Sequence, residues 1–265
     1  MDPHRTNAIL NPRAGAERFT LERRAPGHRL APFVERYWIV RWDLRGQPPY
    51  AQETLPMPCV NVVFGTHRPG VFGVASARFV AHLDGEGWVV GVKFRPGGFH
   101  PLWRRDVSEL TDRALSIEDV FGARGVAIDR AVHDARDHDE RLVRIEAFLR
   151  ACEPAADPRI DQVARAVELA ETDPRLARVD DLAAKAEIPV RTLERLFKAY
   201  VGVSPKWVLR RFRVHEAAAR AATGAGIDWS ALADELGYAD QSHFIHDFKA
   251  QVGRTPAEYA ALCSR

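Results

Sequence analysis

Two stretches near the C-terminus follow one plan and flank a long amphipathic segment. The first runs from Val179 to Lys198 and the second from Asp228 to Lys249. Each begins with a Leu-Ala pair (Leu182-Ala183, Leu232-Ala233), breaks at a short turn, and resumes with apolar residues at helical spacing. Those are Leu193, Leu196 and Phe197 in the first stretch, Phe244 and Phe248 in the second, each followed by a lysine (Lys198, Lys249). Small residues let two helices cross closely, and the phenylalanine near the end of the second helix fills the angle between them. One such unit arises by chance fairly often. Two of them, joined by a single capped helix, restrict this part of the chain to a bundle of short helices with two helix-turn-helix units.

Cap signals fix the neighbouring elements. Ile160, Val163, Ala164 and Val167 form one face of a helix that opens the bundle. Asp180 is read as the N-cap of the next helix, over residues 181–186, and a helix over Val190–Tyr200 follows it. Ser204-Pro205 supplies an N-cap and a proline at the first helical position of the connecting helix, which is expected to run to about Ala222. Thr223-Gly-Ala-Gly226 ends it. Asp228 and Asp240 are N-caps, and Thr255-Pro256 with Glu258 opens the last helix with a capping box. Seven helices are expected in all.

The N-terminal half has a different texture. Arg36–Trp42, Cys59–Phe64, Val71–Val74 and Trp88–Phe94 are short runs rich in Val, Phe and Trp with glycines and prolines between them, which predicts an antiparallel sheet or small barrel. Phe99–Trp103, Val107–Leu110 and Ser116–Phe121 read as short helices. Asp139–Cys152 reads as a longer one, with Leu142, Ile145, Phe148 and Leu149 inward. Glu153-Pro-Ala-Ala-Asp-Pro158 cannot continue a helix and is the natural linker. The expectation is an α+β domain over residues 1–153, a linker over 154–158 and an all-α domain over 159–265.

With 265 residues, 46% hydrophobic and 28% charged, the chain is expected to be globular and soluble. No apolar run approaches the roughly 20 residues that span a bilayer. Met-Asp-Pro-His-Arg-Thr-Asn at the start has no apolar core of a leader. Three cysteines (Cys59, Cys152, Cys263) without regular spacing argue against a disulfide framework, and a cytoplasmic setting is expected.

The overall charge of +2 does not point to a polyanionic partner. Local charge does, because eight basic residues stand against two acidic ones between Pro189 and Arg220. Arg191, Arg195, Lys198, Lys206, Arg210, Arg211, Arg213 and Arg220 face only Glu194 and Glu216. A run of this kind is also the ordinary solvated face of a helix. On the helices themselves, packing claims the apolar positions and leaves the rest for a groove. The free face of the first unit holds Arg191, Thr192, Glu194, Arg195 and Lys198. That of the second holds Asp240, Gln241, Ser242, His243, His246 and Lys249. Arginine reads guanine bidentately, glutamine reads adenine, and threonine can touch a thymine methyl.

Other chemistries find no pattern. His243 and His246 are three apart on a helix, but no cysteine or carboxylate set completes a metal site. His67, His82 and His100 lack the clustering of a metal-binding barrel. There is no Ser-His-Asp set, P-loop or dinucleotide-binding glycine motif, and Cys59 sits inside a predicted strand. No catalytic residue, metal or cofactor is assigned.

The stretch from about Ile160 to Leu262 resembles the DNA-binding domain of the AraC/XylS family of bacterial transcription regulators, most clearly in Gly237-Tyr-Ala-Asp-Gln-Ser-His-Phe244 followed by Phe248-Lys249. The resemblance implies two recognition helices entering successive major-groove segments, about 34 Å apart. Arg191, Glu194 and Arg195 fall where base-reading residues usually sit. Two departures stand out: His246 where many members carry Arg, and Glu187 where the first turn often has Gly. Gly91–Trp103 and Glu109–Arg113 resemble a sensor-like domain found ahead of this DNA-binding domain in many regulators. Its role is generally unassigned. In the family the N-terminal half is usually a cupin-like barrel that binds a small effector or dimerises. On that pattern an effector pocket would be lined by Trp38, Trp42, Phe64 and Trp88, with Arg95 as a ligand contact. Partners implied are promoter DNA, RNA polymerase, a small effector and a second copy of the chain, with no membrane. The competing readings are a ligand-binding protein whose helical half docks a protein partner, and an enzyme with a DNA-binding tail.

Overall fold

The structure is a computed structural model and describes residues 8–223 and 226–264. The leader reading over Met1–Asn7 and the Gly224-Ala225 part of the predicted helix end lie outside the described residues. The N-terminal part carries eight strands among the described residues: β1 (Thr20–Arg24), β2 (Val34–Asp43), β3 (Tyr50–Thr54), β4 (Asn61–Gly65), β5 (Gly70–Phe72), β6 (Phe79–Leu83), β7 (Glu86–Phe94) and β8 (Ala114–Leu115). Six form one antiparallel sheet in the order β1-β2-β7-β4-β5-β8, and β3 and β6 form a second. The helices here are α1 (Pro12–Ala16), α2 (His100–Trp103), α3 (Ile117–Phe121), α4 (Ala123–His133) and α5 (His138–Ala151), with a 3-10 turn at Val107–Leu110.

Strand period two decides what each face of the large sheet does. Tyr37 and Ile39 of β2, Val62 and Phe64 of β4, and Val90 and Val92 of β7 are buried in one core with Ile128 and Val132 of α4 and Ile145 and Leu149 of α5. The opposite face carries Trp38 and Trp42, Asn61 and Val63, and Val89 and Lys93, and it looks into a cavity. Opposite Trp38 in the register is Gly91. A Cβ there would lie 2.0 Å from the Trp38 ring, so only glycine lets the indole lie flat on β7.

The C-terminal part is all helix, as expected: α6 (Pro158–Thr172), α7 (Val179–Ala186), α8 (Val190–Leu196), α9 (Pro205–Ala221), α10 (Trp229–Glu235), α11 (Gln241–Val252) and α12 (Pro256–Cys263). Ser204, Asp228 and Asp240 accept backbone N–H groups at the predicted N-caps, and Thr255 with Glu258 makes the predicted box. Two details differ. Asp180 is not the cap of α7; that helix begins two residues earlier, behind Arg178, and Asp180 and Asp181 sit in its first turn, where negative charge is stabilised by the positive end of the helix dipole. The helix predicted to reach Tyr200 is α-helical only to Leu196 and then widens into a π turn at Phe197–Val201.

Helix α9 is shared by two cores. Val208, Leu209 and Phe212 pack with Leu182, Leu193, Leu196 and Phe197 of the first unit. Val214, Ala217, Ala218 and Ala221 pack with Leu232, Phe244 and Phe248 of the second. At 17 residues it is about 26 Å long. The N-terminal part meets both units. Leu10 and Leu55 enter the second core, and the Asn11 N–H donates to the Tyr259 hydroxyl at 3.2 Å. On the other side Thr111 Oγ1 donates to the Gly202 carbonyl at 2.6 Å, and His100 stacks on Tyr200 with ring centroids 4.0 Å apart.

Candidate nucleic-acid interface

The two units close their turns alike. In the first, Glu187 takes a left-handed conformation (φ 57°), and the Ile188 N–H reaches back to the Ala183 carbonyl at 3.0 Å. In the second, Gly237 has φ 71°, and the Tyr238 N–H reaches the Ala233 carbonyl at 3.0 Å. The weak repeat in the sequence is thus a repeat in backbone geometry. Only the second unit spends a glycine where one is favoured; the first accepts the strain on Glu187.

Both recognition faces are solvent-facing. On α8 and its π extension Arg191, Glu194, Arg195 and Lys198 are exposed and Thr192 is half-buried, while Leu193, Leu196 and Phe197 point inward. On α11 Gln241, Ser242, His243, His246 and Lys249 are exposed, with Phe244, Asp247 and Phe248 inward. Each helix therefore gathers its five named polar residues on the side away from the core. Lys198 also reaches the N-terminal part, at 3.4 Å from Asp106.

The connecting helix does not behave as its charge run suggests. Arg211 and Arg213 are buried rather than aimed at solvent. Arg213 Nη1 donates to the Leu236 and Gly237 carbonyls at 3.4 and 3.3 Å, and its guanidinium lies 4.4 Å from the Tyr238 ring centroid. Arg211 lies 4.4 Å from the Trp207 ring centroid and donates to the Ser76 carbonyl at 2.6 Å. Burial depresses the Arg211 pKa to about 10. Arg220 is taken by Glu216 and Glu235. Arg210 donates to Asp247, which also accepts from the Tyr238 hydroxyl and Gln251 Nε2, both at 2.9 Å. Burial alone would raise the Asp247 carboxyl, but these three donors hold it below its ordinary value. Four of the eight cations in the run are thus used inside the fold: Arg210 ties α11 to α9, Arg213 and Arg220 tie α10 and its following turn to α9, and Arg211 ties α9 to the loop between β5 and β6. Counting charges along the sequence cannot separate these roles; burial and ion-pair partners together do.

The cavity above the large sheet has a volume of about 1010 Å³. Trp38 and Trp42 line it, together with Phe19, Phe72 and Phe79 and the cations Arg23, Arg36 and Lys93. Strand alternation sends Phe64 and Trp88 to the covered face, and Arg95 lies past the end of β7, outside the large cavity. Phe64 is in the core under α4 and α5. Trp88 packs against His133 and His138, with the Arg141 guanidinium 3.9 Å from its ring centroid. Arg95 bonds the Pro32 carbonyl at 3.2 Å and Asp161 at 3.4 Å. It borders a smaller cleft of about 220 Å³ that also holds Lys93 and Glu168. Cys59 lines the large cavity, and burial pushes its thiol up to about 11, far from a reactive thiolate. Among the described residues no group of three or more His, Cys, Asp or Glu could hold a metal, and no helix is long and apolar enough to cross a membrane.

Comparison with known proteins bears on both parts. Residues 22–116 match a family model described as a domain of unknown function, and residues 182–261 match one described as a helix-turn-helix domain. A Streptomyces lividans protein named as an AraC-like transcription regulator is 33% identical over 153 residues, which are 57% of this chain and 47% of that protein. A Streptomyces antibioticus protein of the same name is 32% identical over 153 residues, 57% and 48% of the respective chains. This chain thus spans about half the length of the curated relatives it matches. Among solved structures, an apo ToxT variant from Vibrio cholerae aligns with a TM-score of 0.42 at 14% identity, over 86% of this chain and 97% of that one.

Proposed function

We infer, from a C-terminal domain that belongs to the AraC-type helix-turn-helix domains, that this chain is a sequence-specific DNA-binding transcription regulator. The observation that carries the reading is the pair of exposed polar recognition faces held at fixed separation by one shared helix. Arg191, Thr192, Glu194, Arg195 and Lys198 read one major-groove segment, and Gln241, Ser242, His243, His246 and Lys249 read the next, about one helical turn away. A helix that docks a protein partner would present apolar anchors there, and these faces present none.

The assignment carries further parts. Residues up to 153 form the sensor domain, a linker after it runs to the cap Asp157, and the chain from α6 (Pro158–Thr172) onward forms the DNA-reading domain, one residue earlier than the sequence predicts. The large cavity receives a small effector, with Trp38 and Trp42 in its wall. The regulator works in the cytoplasm at a promoter with RNA polymerase, dimerises through its N-terminal domain, and is not an enzyme. Selection of binding sites from random duplex DNA by the full chain tests the central reading. Enrichment of two sequence blocks about one turn apart, lost in an Arg195→Ala, His246→Ala double variant, supports it. Failure of the folded full chain to enrich any motif contradicts it.

A further inference from the structure

The N-terminal part places a basic loop beside the end of the first recognition helix. Lys198 bridges to Asp106 at 3.4 Å. Just beyond, the backbone at Gly202 comes so close to the 3-10 turn that a Cβ would lie 3.0 Å from the Val107 carbonyl oxygen. These contacts set the Trp103–Asp106 loop against the C-terminal end of the helix whose outer face carries Arg191 and Arg195. The loop is held from within. The Trp103 indole donates to the Asp106 carbonyl at 3.2 Å, and the Arg104 N–H closes α2 onto the His100 carbonyl at 2.7 Å. Arg104 sits in a left-handed conformation (φ 57°) that turns the chain outward.

The loop presents two exposed guanidinium groups. Arg105 lies 4.8 Å from the Trp103 ring centroid and is held by Glu109. The Arg104 guanidinium donates to the Pro101 carbonyl at 3.4 Å, and among the described residues no carboxylate lies within ion-pairing distance of it. Of the carboxylates on this surface, Asp106 is engaged by Lys198 and Glu109 by Arg105. Glu194 stands on the recognition face itself. Beside the first recognition helix the loop therefore offers the Arg104 guanidinium, which pairs with no carboxylate among the described residues, and Arg105, whose side chain stays 61% exposed while bonded to Glu109.

We propose that Arg104 and Arg105 contact backbone phosphates of the duplex just outside the block read by the first recognition helix, so that the N-terminal domain adds DNA contacts of its own. The proposal rests on the DNA-binding reading above. Guanidinium groups on a rigid loop suit phosphate oxygens, and such contacts position a protein without reading sequence.

The test uses the full chain and its selected operator in two forms: one extended by about one helical turn beyond the first block, one trimmed at that block's edge. Each phosphate contact contributes about 0.9 to the slope of log K against log salt. The Arg104→Asn, Arg105→Gln variant is expected to lose about tenfold in affinity on the extended duplex, with a salt slope smaller by about two. It should match wild type on the trimmed duplex, which also shows that it is folded. Wild type should lose as much when the flanking phosphates are replaced by neutral methylphosphonates, a measurement that needs no variant. Equal affinities for the extended, trimmed and methylphosphonate duplexes would overturn this inference while leaving the DNA-binding reading intact. Failure of wild type to select any operator overturns both.

Discussion

At the scale of single residues, what decides function here is which charged groups the fold leaves free. Arg195 is exposed on α8, whereas Arg211, sixteen positions on, is fully buried on α9. Arg195→Ala is expected to cost about 1–3 kcal/mol of binding to the best site and to relax selectivity at one base position only. Competition binding against operators changed base by base checks this. His215 makes a separate prediction. It is buried, donates to the Pro56 carbonyl, and leaves Nε2 without a partner. Burial, reinforced by nearby Arg211, pushes its pKa down to about 3. An unfolded chain protonates histidine near its ordinary value of about 6.5. Between those values the unfolded state holds the extra proton, so stability falls as pH drops through this window, by up to about 1.4 kcal/mol per pH unit. In urea titrations from pH 7 to pH 4, His215→Gln should lose stability less steeply than wild type. Parallel curves would exclude the assignment of a neutral buried His215.

At the scale of elements, the helices of the reading domain were legible because each carries its own punctuation: a cap, a proline at the first turn and a 3.6-residue apolar stripe. The strands β2, β4, β5 and β7 were legible for their runs of Val, Phe and Trp. β1 and β3 were not, since Thr-Leu-Glu-Arg-Arg and Tyr-Ala-Gln-Glu-Thr spend polar residues on strands that the sheet supports from only one side. Helix α4 was also missed; its apolar stripe is short, and only packing of Ile128 and Val132 on the sheet defines its face. The exposed polar faces of α8 and α11 were readable because they are what remains after local packing is assigned. The cavity wall was half-readable. Trp38 and Trp42 share a parity on β2, but the parity of Phe64 and Trp88 relative to them depends on strand register, which no local pattern carries. The departure at Glu187 was legible and has a consequence. Glu187→Gly relieves the left-handed strain (φ 57°) and is expected to stabilise the protein by about 1 kcal/mol. A denaturation midpoint unchanged or lowered would show that the turn bears no such strain.

At the scale of the whole molecule, the two reading units do not hang on a flexible tether. One helix runs through both cores, the Asp247 cluster bolts the second recognition helix to it, and the N-terminal part grips each unit from its own side. Glu53 accepts from Arg78 at the cavity wall and from Arg254 in the turn before α12, at 2.5 Å for the latter. Thr111 holds the first unit at Gly202. The spacing between α8 and α11 is therefore fixed by the fold, and on the proposed function an operator must match it. The direct test is binding of the full chain to its selected operator before and after about 5 bp, half a helical turn, is inserted between the two blocks. Affinity falling to that of a single block is the result this rigid two-unit architecture predicts. Undiminished binding across the insertion would contradict it, because the two units would then be reading DNA independently.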